Sequence, residues 1–141
     1  MAETAVIAKT SIDLGLVTGQ LDAMLAFYQD TLGLPLEGVV EMPRGGKMTR
    51  LKIGDTVLKL VTHGQTPEAK NPPNGLLGAT GIRYFTITVS NLVAATQACK
   101  DAGYEVPLGP LVSRPGVNIA MIEDPDGNWV ELLQLGEIDG L

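Results

Sequence analysis

The sequence predicts an α+β fold, two paired βαβββ modules closing into an incomplete barrel around one cavity. Three observations carry this. The chain has 141 residues, 45% apolar and 18% charged, enough for one domain with its own core and far from the low-apolar, high-charge balance of disorder. It holds 17 glycines and 9 prolines, which point to many turns between short strands. The order strand, helix and three strands occurs twice.

The segment Ser11 to Thr18 is short, apolar and strand-like, and Gly19-Gln20 breaks it. Leu21, Met24, Leu25, Phe27, Tyr28 and Leu32 then recur at three- and four-residue spacing, one face of a helix that stops at Gly33 before Leu34-Pro35. Val39 to Met42, Met48 to Ile53 and Thr56 to Thr62 read as strands, separated by turns at Gly45-Gly46 and Gly54-Asp55. From His63 to Thr80 three prolines and three glycines interrupt any period, so this stretch reads as a linker or lid. The pattern restarts with a strand from Ile82 to Val89. Ser90 or Asn91 is placed to cap a helix through Ala102, ended by Gly103. Glu105 to Pro107 starts an extended strand. Val117 to Ile122 and Trp129 to Gln134 are two more, joined by the turn Asp124-Pro125-Asp126-Gly127-Asn128.

A shift of 71 residues places Asp13 on Tyr84, Gln20 on Asn91 and Asp30 on Asp101. A shift of 72 places Val57-Leu58-Lys59-Leu60-Val61 on Trp129-Val130-Glu131-Leu132-Leu133. A repeat of this length gives modules at 11–62 and 81–135 within a single domain, each too small to close a core alone.

The net charge of −6 and the lack of basic clusters argue against nucleic acid or anionic lipid as a partner, and favour a neutral or cationic guest over an anionic one. No apolar run reaches a membrane span. The N-terminus lacks the basic start and apolar stretch of a signal peptide, and the one cysteine, Cys99, has no internal partner, so a cytoplasmic location is expected. The single histidine, His63, leaves no multi-histidine zinc site. Exposed sheet edges give reason to expect a homodimer.

Two stretches carry a resemblance. Leu21 to Leu34, LDAMLAFYQDTLGL, resembles the first helix of the vicinal oxygen chelate superfamily, and Asp124 to Glu131, DPDGNWVE, its closing hairpin. That superfamily includes glyoxalase I, methylmalonyl-CoA epimerases, extradiol dioxygenases and the bleomycin and fosfomycin resistance proteins. The resemblance extends, through the repeat, over Ser11 to Leu135 and implies the fold more than the reaction.

In metal-binding members the first and last strand of each module present one ligand each, His, Gln or Glu. By resemblance these positions are Asp13, Lys59, Tyr84 and Glu131. Only Glu131 keeps the usual type. A protonated lysine has no lone pair to give, and it repels a divalent ion. No cofactor is therefore expected; a divalent metal, if present, would rest on Asp13 and Glu131. The resemblance implies instead a charge arrangement in which Lys59 lies between Asp13 and Glu131.

Lys59, Glu131, Tyr84 and Asp13 are thus the candidate catalytic residues, and Trp129, Met48 and Met121 the candidate lining of a substrate pocket. Each has an ordinary structural alternative: a lysine covering apolar surface, an ion pair, a core aromatic, an aspartate binding a strand-start amide, and plain core. The first functional expectation is metal-independent proton transfer on a small oxygenated molecule, by an isomerase, epimerase or lyase with Glu131 as base, Tyr84 as proton donor and Lys59 as the cation. The alternative is a non-catalytic protein that sequesters a small molecule, as resistance proteins do. The third is a metal-dependent lyase or dioxygenase. Six aromatic residues are few for stacking a large planar guest, which tilts the reading towards an enzyme.

Overall fold

A computed structural model describes residues 3–141. Two four-stranded mixed sheets form, with the same order and sense of strands. Strands β1 (Leu14–Val17), β2 (Leu36–Glu41), β3 (Lys47–Ile53) and β4 (Thr56–Thr62) build the first, in the order β1-β4-β3-β2. Strands β5 (Tyr84–Thr88), β6 (Leu108–Arg114), β7 (Val117–Glu123) and β8 (Trp129–Leu135) build the second, in the order β5-β8-β7-β6. The first strand of each sheet runs parallel to the last, and the remaining pairs are antiparallel. The α+β class and the doubled strand pattern stand as the sequence predicts.

The chain divides into two compact units, 1–19 with 34–66, and 20–33 with 67–141. The helix that the repeat assigns to the first module is therefore part of the second unit. It begins as α1 (Leu21–Leu25) and widens into a π-helical stretch (Ala26–Thr31), where the Leu32 amide donates to Phe27 O at 2.9 Å. Gly33, at φ 79°, ends it in a conformation other residues adopt only with strain.

In the first unit Leu51, Leu58 and Leu60 are fully buried and, with Thr49, share one face of the sheet. In the second, Phe27 meets Tyr28 and Tyr104 edge-on, each at 4.7 Å between ring centroids, and Tyr28 stacks over Phe85. The Tyr28 hydroxyl donates to Asp124 Oδ2 at 2.6 Å, and the Asp126 and Asn128 amides donate to Asp124 Oδ1, both at 2.9 Å. The DPDGN turn is thus tied to the helix by a buried carboxylate whose pKa burial raises. Helix α3 (Leu92–Asp101) packs on β6, β7 and β8 and buries Leu92, Thr96 and Cys99. Burial pushes the Cys99 thiol up to about 11, as suits a small core residue rather than a nucleophile.

Some local expectations are corrected. The first strand starts at Leu14 rather than Ser11, because the Asp13 carboxylate accepts from the Val57 amide at 2.8 Å and takes the place of a ladder bond. Neither Ser90 nor Asn91 caps α3 with its side chain; the Leu92 amide donates to Gln134 Oε1 at 2.8 Å, an acceptor brought by β8. The strand expected at Glu105 begins at Leu108. The stretch from His63 to Thr80 contains a one-turn helix, α2 (Gly75–Gly78), and is held by Arg83. That guanidinium donates to the carbonyls of Gly75 (2.7 Å), Pro72 (2.8 Å) and Pro73 (3.4 Å) and to Asn71 Oδ1 (3.2 Å), so all its partners are neutral oxygens of the loop.

Candidate functional site

In the second unit the ladder registers decide which side chains share a face. Tyr84 pairs with Trp129 and Thr86 with Glu131 across β5 and β8, while Met121 and Glu123 of β7 stand opposite Glu131 and Trp129. Residues directly opposite in a ladder project to the same side. Tyr84, Thr86, Glu131, Met121, Trp129 and Glu123 therefore share one face. The intervening residues, Phe85, Val130 and Ile122 among them, project to the other, where Tyr28 stacks on Phe85.

Glu131 is half-buried and accepts a hydrogen bond from Thr86 Oγ1 at 2.8 Å. A neutral hydroxyl steadies a carboxylate without neutralising it, so the charge stays available to a ligand. Met121, opposite it, is 3% exposed and gives it an apolar neighbour, whereas Tyr84 is 45% exposed. Trp129 donates from Nε1 to Glu123 Oε1 at 3.3 Å, and Gly75 lies so close to its ring that a Cβ there would run into the indole. Trp129 is thus a platform on which the 71–78 loop rests.

In the first unit Lys59 pairs with Gly15 of β1 on one side and Arg50 of β3 on the other. Met48 and Lys52, two residues either side of Arg50, share that face. The bulge between Leu36 and Gly38 leaves Glu37 without a ladder partner. Its carboxylate accepts from Arg50 Nε at 2.7 Å and lies 3.7 Å from Lys52 Nζ. Arg50 Nη1 also reaches Met48 Sδ at 3.7 Å. Asp13 accepts from Lys9 Nζ at 2.7 Å and from the Val57 amide at 2.8 Å. Those two bonds, the lysine's first, hold its pKa at about 2, with a weaker contribution from the charge of Lys59. The strand-start alternative for Asp13 is thus the one its geometry fits. Arg50, Glu37 and Thr86 escaped the sequence reading. Their signal was cross-strand register, which a bulge shifts without leaving a mark in composition.

The residues at the four ligand positions do not fit a divalent ion. Asp13 is committed to a lysine and an amide, Lys59 is a cation beside an arginine, and Tyr84 is a weak donor unless ionised. Among the described residues no three His, Cys, Asp or Glu side chains gather in a way that could hold a metal.

Two four-stranded mixed sheets with the same strand order, β1-β4-β3-β2 and β5-β8-β7-β6, make up the fold. The chain belongs to the Glyoxalase/Bleomycin resistance protein/Dioxygenase superfamily, whose sequence profile matches residues 10–132. A probable lactoylglutathione lyase from Synechocystis sp. is 29% identical over 123 residues, 82% of this chain and 88% of that protein. Among solved structures, a glyoxalase family protein from Bacillus cereus superposes with a TM-score of 0.79 at 16% identity, covering 97% of this chain and 99% of its own. TnmS3, an antibiotic binding protein from Streptomyces sp. CB03234, superposes with a TM-score of 0.68 at 22% identity, covering 93% and 100%. No helix among the described residues is long and apolar enough to cross a membrane.

Proposed function

We propose that this chain is an enzyme that moves a proton on a small oxygenated organic molecule, as an isomerase, epimerase or lyase, without a resident metal. Glu131 is the base. Tyr84, diagonal to it on the neighbouring strand and well exposed, orients or protonates a substrate oxygen. Lys59 holds the equivalent place in the first sheet, opposite Gly15 as Glu131 is opposite Thr86. The observation that supports this reading best is the setting of Glu131: a half-buried carboxylate held by one neutral hydroxyl, with apolar Met121 beside it. The name of the Synechocystis relative, a probable lyase, agrees with the reaction class.

The test is proton exchange. The protein is incubated in D2O with a panel of 2-oxo and 2-hydroxy acids and aldehydes, and loss of the proton beside the carbonyl is followed by NMR. Exchange that persists after chelator treatment and falls by about a hundredfold or more in Glu131→Gln, with an unchanged circular dichroism spectrum, is the expected result. Saturable binding with no exchange would replace this reading with the sequestration alternative. Exchange that a chelator abolishes and added metal restores would replace it with the metal-dependent one.

A further inference from the structure

One row of residues crosses the whole first sheet: Gly15 of β1, Lys59 of β4, Arg50 of β3 and Gly38 of β2, each opposite the next. Two cations stand side by side at its centre, and a glycine lies on each flank. Like charges directly opposite in a ladder destabilise it, so this pairing needs a compensating anion. The protein's own acids compensate only in part. Glu37 serves Arg50 and also Lys52, which adds a third positive charge to the face. Asp13 is engaged by Lys9 and the Val57 amide. Among the described residues neither the Lys59 ammonium nor Arg50 Nη2 has a hydrogen-bond partner. Space is there as well, for a Cβ built on either Gly15 or Gly38 would meet nothing within 4 Å.

We infer that the Gly15–Lys59–Arg50–Gly38 row is an oxyanion subsite that takes a carboxylate or phosphate group of the substrate. Lys59 gives a point charge and Arg50 its unpartnered Nη2, a pair of donors suited to two oxygens of one anion. The whole-chain charge of −6 favours a neutral or cationic guest, but the local field is of the opposite sign and governs at contact distance. The subsite rests on the reading of a bound small-molecule substrate, not on proton transfer, and is therefore tested by binding.

Inorganic phosphate and succinate are titrated separately into the intact protein at constant ionic strength made up with sodium chloride, and backbone amide shifts are followed by NMR. Saturable shifts centred on residues 48–52 and 57–61 are expected, and the tighter of the two probes tells which anion the subsite prefers. Lys59→Gln should weaken binding by about tenfold or more, as loss of one charge-assisted bond implies. Gly15→Val keeps both charges but fills the adjoining space, and should also weaken binding, so the idea stays testable if Lys59→Gln folds poorly. Shifts that fail to saturate, centre elsewhere or survive both changes would overturn the subsite. Anion binding without exchange chemistry on any carbonyl compound would keep the subsite and remove only the proposed reaction.

Discussion

Laid one on the other by register, the two sheets share a frame and differ in charge. The row Gly15, Lys59, Arg50, Gly38 of the first corresponds to Thr86, Glu131, Met121, Leu108 of the second. Asp13 corresponds to Tyr84, Val57 to Trp129 and Lys52 to Glu123. One sheet sets two cations between glycines; the other sets a carboxylate between a hydroxyl and a thioether. The hydrogen-bond ladder and the buried faces, Leu58 and Leu60 in one and Val130 and Leu132 in the other, are nearly interchangeable. The frame therefore fixes where a side chain stands, and the side chain alone fixes the chemistry offered there.

The largest effect on this comparison is expected at Gly75, which has no counterpart in the first sheet. Trp129 takes the place of Val57, and the 71–78 loop lies against it only because Gly75 has no side chain and adopts φ 50°. Gly75→Ala meets the indole and strains the backbone together, at a cost of about 1–3 kcal/mol or more. Fluorescence of the sole tryptophan should shift to the red as the loop lifts, and a spectrum and melting temperature matching wild type would show that the loop does not rest on Trp129.

A smaller effect, of opposite sign, is expected from copying the second sheet into the first. Gly15→Thr installs the counterpart of Thr86 beside Lys59, where a Cβ meets nothing within 4 Å and the backbone is not left-handed. A β-branched residue in place of a strand glycine should stabilise by up to about 1 kcal/mol. Urea unfolding measures it, and a loss of stability would mean that the space at Gly15 is not free.

The same comparison shows how much the sequence could tell. The shifts of 71 and 72 residues are two halves of one alignment, since Lys59 pairs with Gly15 and Glu131 with Thr86. The equivalence of Lys59 and Glu131 was thus legible from apolar spacing alone. The helix was legible for the same reason, because Met24, Phe27 and Tyr28 mark its buried face. What was not legible depended on register. The bulge at Leu36/Gly38 turns Glu37 towards Arg50, and no residue type announces it. Thr86 becomes the partner of Glu131 only once the parallel pairing of β5 and β8 is known. Which unit holds the helix is likewise a matter of long-range packing, in which Tyr28 finds Asp124 nearly a hundred residues later.

The smallest effect separates Asp13 from its counterpart Tyr84 by pH. Lys9 and the Val57 amide lower the Asp13 pKa from 3.8 to about 2. A carboxyl whose pKa is lower folded than unfolded contributes stability above its unfolded value, and loses that contribution as pH falls through the folded value. The window therefore runs from 3.8 down to about 2, and it belongs to the first unit. Asp13→Asn keeps an acceptor for the Val57 amide but removes the charge. Its unfolding midpoint should fall less steeply than wild type across this window. The difference between the proteins should shrink in high salt, because the Lys9 partner is a surface cation. Equal slopes for the two proteins from neutral pH to the bottom of the window would show that Asp13 is no more strongly held in the folded chain than in the unfolded one.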